Sequence, residues 1–159
     1  MIKAGQLLPK VVLFRMGASG PESFDTEEWC RGSRIVLFSL PGAFTPTCST
    51  HHLPGYIERA DEIRACGVDI IACLSVNDSY VMDAWGKDQE VGDQVQMLAD
   101  GNGTFTRATG LDIDLSKTGL GVRSARYSMV IQDQFVTHLN LDSPGQFEVS
   151  DATTILNLL

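Results

Sequence analysis

Two near-continuous apolar runs, a helical stretch between them and a late hairpin pattern predict an α/β protein: a three-layer sandwich with a central mixed β-sheet. The runs are RIVLFSL at 34–40 and VDIIACLSV at 68–76, whose lack of polar alternation marks strands covered on both faces. Between them, residues 47–65 place Leu53, Tyr56, Ile57, Ala60 and Ile63 at helical spacing with charges on the other side. The hairpin pattern is Tyr127–Gln132 and Phe135–Leu141, separated only by Asp133 and Gln134, and it adds antiparallel strands to the parallel pair.

Taken in order, Lys10–Met16 is short and β-branched and reads as a first strand. Residues 17–28 carry Gly, Ser, Pro and acidic residues and read as a loop or short hairpin region. Pro41 and Gly42 end the 34–40 strand. Pro54 lies inside the following helical pattern, so a kink or irregular turn is expected just after Cys48. Gly67 stops that helix, and Asn77 or Asp78 caps a short one through Val81, Met82 and Trp85. Val95–Ala99 is a further short strand, followed by the Asp-Gly-Asn-Gly turn at 100–103. Residues 108–121 read as irregular, and Ser150 or Asp151 opens a last helix ending in Ile155, Leu156, Leu158 and Leu159.

No repeat or linker interrupts the 159 residues, so the whole chain, 1–159, reads as a single domain able to bury its own core. A formal net charge of -8 disfavours nucleic acid and anionic membrane as partners, because phosphate binding needs clustered Lys and Arg. Lys3, Lys10 and Arg15 interrupt the first apolar stretch before it reaches signal-peptide length, and no run approaches the ~18 apolar residues of a membrane span. The expected compartment is the cytoplasm. Four cysteines, at 30, 48, 66 and 73, form no CxxC pair and read as reduced thiols.

Cys48 stands out among them. It follows a strand and a Pro/Gly turn in LPGAFTPTCSTHH and opens the next helix, where free N–H groups and the helix dipole favour a thiolate. Thr45 lies three residues earlier, within reach of the sulfur and of an incoming ligand, while Pro41 and Pro46 stiffen the loop. Other chemistries fit less well. His51 and His52 follow Cys48, but a closed zinc site needs four ligands and no second pair has suitable spacing, so no metal and no organic cofactor is expected. His138 has no partner to orient it as the base of a Cys-His protease. The C-x5-R signature fails at every cysteine, and no glycine-rich phosphate loop occurs.

The loop PGAFTPTC, with its PxxxTxxC core, resembles the active-site loop of the peroxiredoxins, and the following HLPGY narrows the resemblance to the type II, or peroxiredoxin 5-like, group. CLSVNDSYVMDAW, LADGNGTFTRATGL and GVRSARYSMVIQD resemble later family segments in the same order, so the likeness spans nearly the whole chain. It implies a thioredoxin-like fold and a thiol peroxidase reducing hydrogen peroxide and organic hydroperoxides. Cys48 would be the peroxidatic thiol, oxidised to a sulfenic acid. Thr45 would hydrogen-bond to the peroxide, Pro41 would shield the pocket, and Arg126 would hold the thiolate and the charge developing on the O–O bond. Arg123 is a nearby rival, but the residue directly before the aromatic in GVRSARY is the family position. A homodimer is implied as well, with Phe44 and Trp85 in segments placed at its contact or, alternatively, in the core.

The chain departs from part of this family. Mammalian-type members carry a resolving cysteine near the C-terminus, and GQFEVSDATTIL has none, as in plant and bacterial members. Cys73 lies 25 residues after Cys48, a spacing seen in those members, yet it sits in an apolar strand. Cys66 and Cys30 are weaker candidates for a resolving thiol. Recycling by an external thiol, glutathione with glutaredoxin or else thioredoxin, is therefore expected. The alternatives are a redox-sensing or holdase-type protein signalling through oxidised Cys48, and a disulfide exchanger, which the missing CxxC disfavours.

Overall fold

The computed structural model describes residues 1–159. Its main sheet has seven strands in the order β2-β1-β5-β4-β3-β8-β9: β1 Val12–Gly17, β2 Gly20–Asp25, β3 Arg34–Ser39, β4 Ile70–Ser75, β5 Gln96–Ala99, β8 Tyr127–Gln132 and β9 Phe135–Leu141. The pairs β3/β4 and β4/β5 are parallel, whereas β1/β2, β1/β5, β3/β8 and β8/β9 are antiparallel, so the sheet is mixed. The fold is thioredoxin-like. No helix is long and apolar enough to cross a membrane.

The apolar runs become central strands because both faces of the sheet are covered. Along β3, Val36 and Phe38 enter one core cluster while Ile35 and Leu37 enter the other, as the two-residue period requires. Along β4, Ile71 and Cys73 face the first cluster, and Ala72 and Leu74 face the second. Helices α1 Thr26–Cys30 and α5 Thr104–Thr109 contribute Cys30 and Phe105 to the second. The first is closed by α2 Leu53–Glu58, α3 Ala60–Ala65, α4 Ser79–Asp88 and α6 Ala152–Leu156, with Tyr56, Ile63, Trp85 and Ile155 buried in it.

Aspartates set most helix starts by accepting backbone N–H groups that have no partner within the helix. Asp25 serves α1, Asp78 serves α4 and Asp151 serves α6, and Asp100 accepts from Phe105 N and Thr106 N at the head of α5. The hairpin turn has both central residues, Asp133 and Gln134, at positive φ, the geometry that matches the twist of a two-residue hairpin.

Residues 17–28, expected as a loop or short hairpin region, take the hairpin form: β2 pairs with β1 over six positions, and α1 follows. The Asp-Gly-Asn-Gly turn is followed directly by α5. The stretch 108–121, expected to be irregular, carries β6 Asp112–Asp114 and a 3-10 turn at Ser116–Thr118; β6 pairs with β7 Val122–Ser124 as a separate two-stranded ribbon. The strands β6 and β7 are short and are held by backbone pairing to each other rather than by an apolar pattern of their own.

Candidate active site

Helical backbone begins at Pro46 and widens at once into a π-helical turn, Cys48–His52, in which Leu53 N donates to Cys48 O. Pro54 explains the widening. It has no N–H for a bond to residue 50, and its ring would press on that carbonyl, so the preceding turn opens to the five-residue repeat. The irregularity expected from Pro54 thus takes this form. Cys48 and His52 both point inward, each 1% exposed, whereas His51 is exposed; the two histidines diverge and share no ligand position. A second break, at Arg59, separates α2 from α3.

Of the two arginines near the start of β8, Arg126 reaches the thiol. Its Nη2 donates to Cys48 Sγ at 3.4 Å, and its Nη1 donates to His52 Nδ1 at 3.0 Å. A guanidinium carries no acceptor, so His52 must present a lone pair at Nδ1 and its proton at Nε2. That proton meets Ser150 O at 3.2 Å. The same carbonyl accepts from Tyr56 Oη at 2.7 Å, and Tyr56 stacks on Phe38 with ring centroids 3.9 Å apart. Behind Ser150 stands Asp142, buried, whose carboxylate accepts from Ser150 Oγ, Glu148 N and Val149 N. A buried chain therefore runs from Asp142 through Ser150 and His52 to Arg126 and the sulfur. Phe147 lies over the guanidinium, 5.6 Å from Cζ to the ring centroid.

Burial, followed by the adjacent positive charge of Arg126, pushes the His52 imidazole down to about 3 from 6.5. The folded protein therefore holds His52 neutral, while the unfolded chain takes up a proton below about pH 6.5. The contribution to stability is complete above pH 6.5 and is lost as the pH falls from there toward 3. His52→Gln keeps an acceptor for Arg126 without the titration, and it is expected to flatten the acid side of a plot of Tm against pH. An unchanged slope between pH 6.5 and 4 would show that other groups set the acid limit.

The remaining expected residues sit around this chain. Thr45 is half-buried, and its hydroxyl donates to Gly42 O at 2.7 Å rather than to the sulfur. Pro41 lines a cleft of about 210 Å³ together with Thr47, Ile113, Ala125, Arg126 and Phe147. The sulfur's hydrogen-bond partner is the guanidinium and not, as expected from the helix start, a backbone amide. Phe44 is 55% exposed and takes positive φ, a conformation costly for a bulky residue outside glycine. Trp85 is fully buried, with its indole N–H on Ser49 Oγ at 3.0 Å.

Cys73 is fully buried in the same core cluster as Cys48, and burial pushes its thiol well up. Cys30 lies in the opposite cluster, with its thiol pushed up by burial to about 11; Cys66 alone is exposed. A larger cleft, about 530 Å³, opens between β1, α4 and β5, but no cysteine lines it and its Lys87 is paired with Asp83. Sequence reasoning missed the roles of His52, Asp142 and Ser150 in carrying the arginine. The one available signal was the position of His52, one helical turn from Cys48 on the same face.

A cationic donor aimed at a buried sulfur beside a small cleft can hold a thiolate and receive negative charge from a polar substrate. Comparison with known proteins agrees. Residues 3–156 match the redoxin family. Peroxiredoxin-2B of Arabidopsis thaliana is 50% identical over 128 residues, covering 80% of this chain and 79% of the relative. The structure of reduced Prx3 from Vibrio vulnificus in complex with hydrogen peroxide superposes with a TM-score of 0.96 at 49% identity, covering 99% of each chain. Peroxiredoxin 5 from Alvinella pompejana gives a TM-score of 0.87 at 36% identity, over 99% of this chain and 97% of that one. The chain belongs to the redoxin family and, within it, to the type II peroxiredoxins, which are thiol-dependent peroxidases.

Proposed function

We propose that Cys48 is the peroxidatic thiol, with Arg126, Thr45 and Pro41 as its catalytic partners. The observation that carries this is the Arg126 Nη2 to Cys48 Sγ contact at 3.4 Å, closed across 78 residues of sequence. The thiolate attacks the terminal oxygen of the hydroperoxide in line with the O–O bond. The S–O bond forms, the O–O bond breaks, and the departing oxygen takes up a proton and leaves as water or an alcohol, so that Cys48 becomes a sulfenic acid. Arg126 faces the oxygens on which charge develops. The Thr45 hydroxyl donates to Gly42 O, which leaves its oxygen lone pairs free to accept the peroxide O–H. Pro41, in the cleft wall, supplies no N–H and keeps water from competing there. The Vibrio vulnificus relative crystallised with hydrogen peroxide supports that substrate, and the apolar members of the cleft, Ile113, Ala125 and Phe147, suit the carbon substituent of a small organic hydroperoxide.

Reduction of the sulfenic acid falls to an external thiol, glutathione with glutaredoxin or thioredoxin. The fully buried position of Cys73 supports this, since it leaves that thiol closed to solvent inside the core cluster it shares with Cys48. A homodimer is supported by the large apolar side chains left at the surface near the site and on α4, Phe44 and Tyr80, 55% and 68% exposed. Four free cysteines suit a reducing compartment such as the cytoplasm.

Steady-state peroxide reduction is expected to be sustained by glutathione plus glutaredoxin, or by thioredoxin plus its reductase, and mass spectrometry of the oxidised chain is expected to show no link between Cys48 and Cys73. An intramolecular Cys48–Cys73 disulfide formed within one turnover would replace the external-thiol route. Signalling without turnover, the competing role, would appear as oxidation of Cys48 that neither reductant reverses.

A further inference from the structure

We infer that Arg123 is a positioning residue: its guanidinium clamps the turn at Pro41 and Gly42 so that Thr45 presents its hydroxyl to the peroxide. This rests on the assignment of Cys48, Thr45 and Arg126 to the reaction. Arg123 sits in the middle of β7, in the ribbon outside the main sheet. Its Nη1 donates to Pro41 O at 3.1 Å and its Nε donates to Leu120 O at 2.8 Å. One side chain therefore ties the loop before β7 to the turn that ends β3, 82 residues away in sequence.

Gly42 carries a second and independent mark of the clamp. A Cβ built there would lie 2.7 Å from Arg123 Nη1 and 3.3 Å from Thr45 Cγ2. Gly42 does not need its missing side chain for backbone reasons, since its φ lies outside the left-handed region. The space is occupied by the guanidinium. The turn is also held from the opposite side, where Ala43 N donates to Asn77 Oδ1 at 3.0 Å and Ser75 Oγ donates to the same oxygen at 2.6 Å.

Between these two anchors, Gly42 O receives both Thr45 N, at 3.4 Å, and Thr45 Oγ1, at 2.7 Å. The Thr45 rotamer is thus referred to the Gly42 carbonyl, and the Gly42 peptide is referred to Arg123. Phe44, at positive φ inside this turn, is a conformation that surrounding contacts must impose. Arg123 does not itself line the cleft that Arg126 lines, so its effect passes through the turn at Pro41 and Gly42 that it holds. The two arginines of GVRSARY divide the work: one faces the thiol, the other fixes the hydroxyl.

The test compares two reactions of the same cysteine in the full chain. Peroxide reduction depends on the thiolate and on Thr45, whereas alkylation of reduced Cys48 by iodoacetamide depends on the thiolate without the peroxide pose. Arg123→Met is expected to lower the second-order rate with hydrogen peroxide about 10-fold or more, as misplacement of a positioning group does, and to leave the iodoacetamide rate at its native value. Thr45→Val should show the same split. Gly42→Ala, which displaces the guanidinium without removing it, should resemble Arg123→Met, and the double variant should be no slower than either single one, the mark of two changes acting on one contact. Arg123→Lys, with a single nitrogen in place of a fork that reaches two carbonyls, should recover part of the loss.

Equal losses in both reactions would assign Arg123 to general structure and overturn the clamp, as would a native peroxide rate in Arg123→Met. Should Arg123→Met not fold, Arg123→Gln carries the same comparison by itself. A Cys48→Ser chain run alongside separates the two levels: if it consumed peroxide, the assignment of the thiol would fail, and if it were dead while the Arg123 and Gly42 variants matched the native chain, only the clamp would fail.

Discussion

Cys48→Ser is expected to abolish peroxide consumption, lowering the rate on the order of 10⁴-fold or more, to the uncatalysed background. A serine hydroxyl at neutral pH offers no anion to attack the O–O bond. None of the other thiols can substitute. Burial pushes the Cys73 thiol well up and that of Cys30 to about 11, and both side chains are closed to solvent. Cys66 is exposed, but the arginine beside it, Arg34, donates to its backbone carbonyl and not to its sulfur. The change is nearly isosteric and should fold, so circular dichroism and the thermal transition are expected to stay near those of the native chain. Peroxide consumption at the native rate would remove Cys48 from the chemistry altogether.

Arg126→Lys should follow, with peroxide reduction slowed about 10² to 10³-fold, the range for losing one preorganised donor at a developing charge. The guanidinium makes two directed contacts at once, to Cys48 Sγ and to His52 Nδ1, and a compact, strongly hydrated ammonium cannot span both. Its stacking under Phe147 is lost too. Because His52 is buried, leaving Nδ1 without a donor also costs about 1–3 kcal/mol of stability. Stopped-flow kinetics and a thermal melt therefore read the two consequences separately. A fall in Tm with unchanged peroxide kinetics would make Arg126 a structural arginine only.

The buried row behind Arg126 explains why a charge can be held beside a buried sulfur. Each member is satisfied by the next: Asp142 by three donors, Ser150 by Asp142, His52 by Ser150, and Arg126 by His52. Incomplete polar networks in low dielectric are costly, and complete ones fix geometry. In this protein the geometry so fixed is the direction of one N–H bond.

How much of this could be read beforehand depended on whether the signal was local. The strands β3, β4 and β8 were legible because both faces of the sheet are covered, which writes apolar residues at most of their positions. Pro54 announced the irregular turn after Cys48 for a covalent reason, its absent N–H. The starts of α4 and α6 were legible in Asp78 and Asp151 for the same kind of reason, a carboxylate beside orphan donors. By contrast, β2 reads Gly-Pro-Glu-Ser-Phe-Asp with no buried residue, so its turn-forming residues suggested a loop or short hairpin without fixing a six-residue strand. The ribbon of β6 and β7 leaves no such signal.

The sequence by itself determined which residues could do chemistry: a cysteine after a Pro/Gly turn, a hydroxyl three residues before it, and two arginines in one segment far downstream. Residue type and spacing by themselves leave Arg123 and Arg126, three positions apart, on equal terms; the family resemblance pointed to Arg126, but the physical choice of which guanidinium meets the sulfur is not written in the segment itself. That choice belongs to the tertiary structure, where Arg126 continues straight into β8, paired beside β3, while Arg123 lies out on the ribbon. Contacts spanning 74 to 98 residues carry the site, and their energies depend on distances that exist only after the chain has closed.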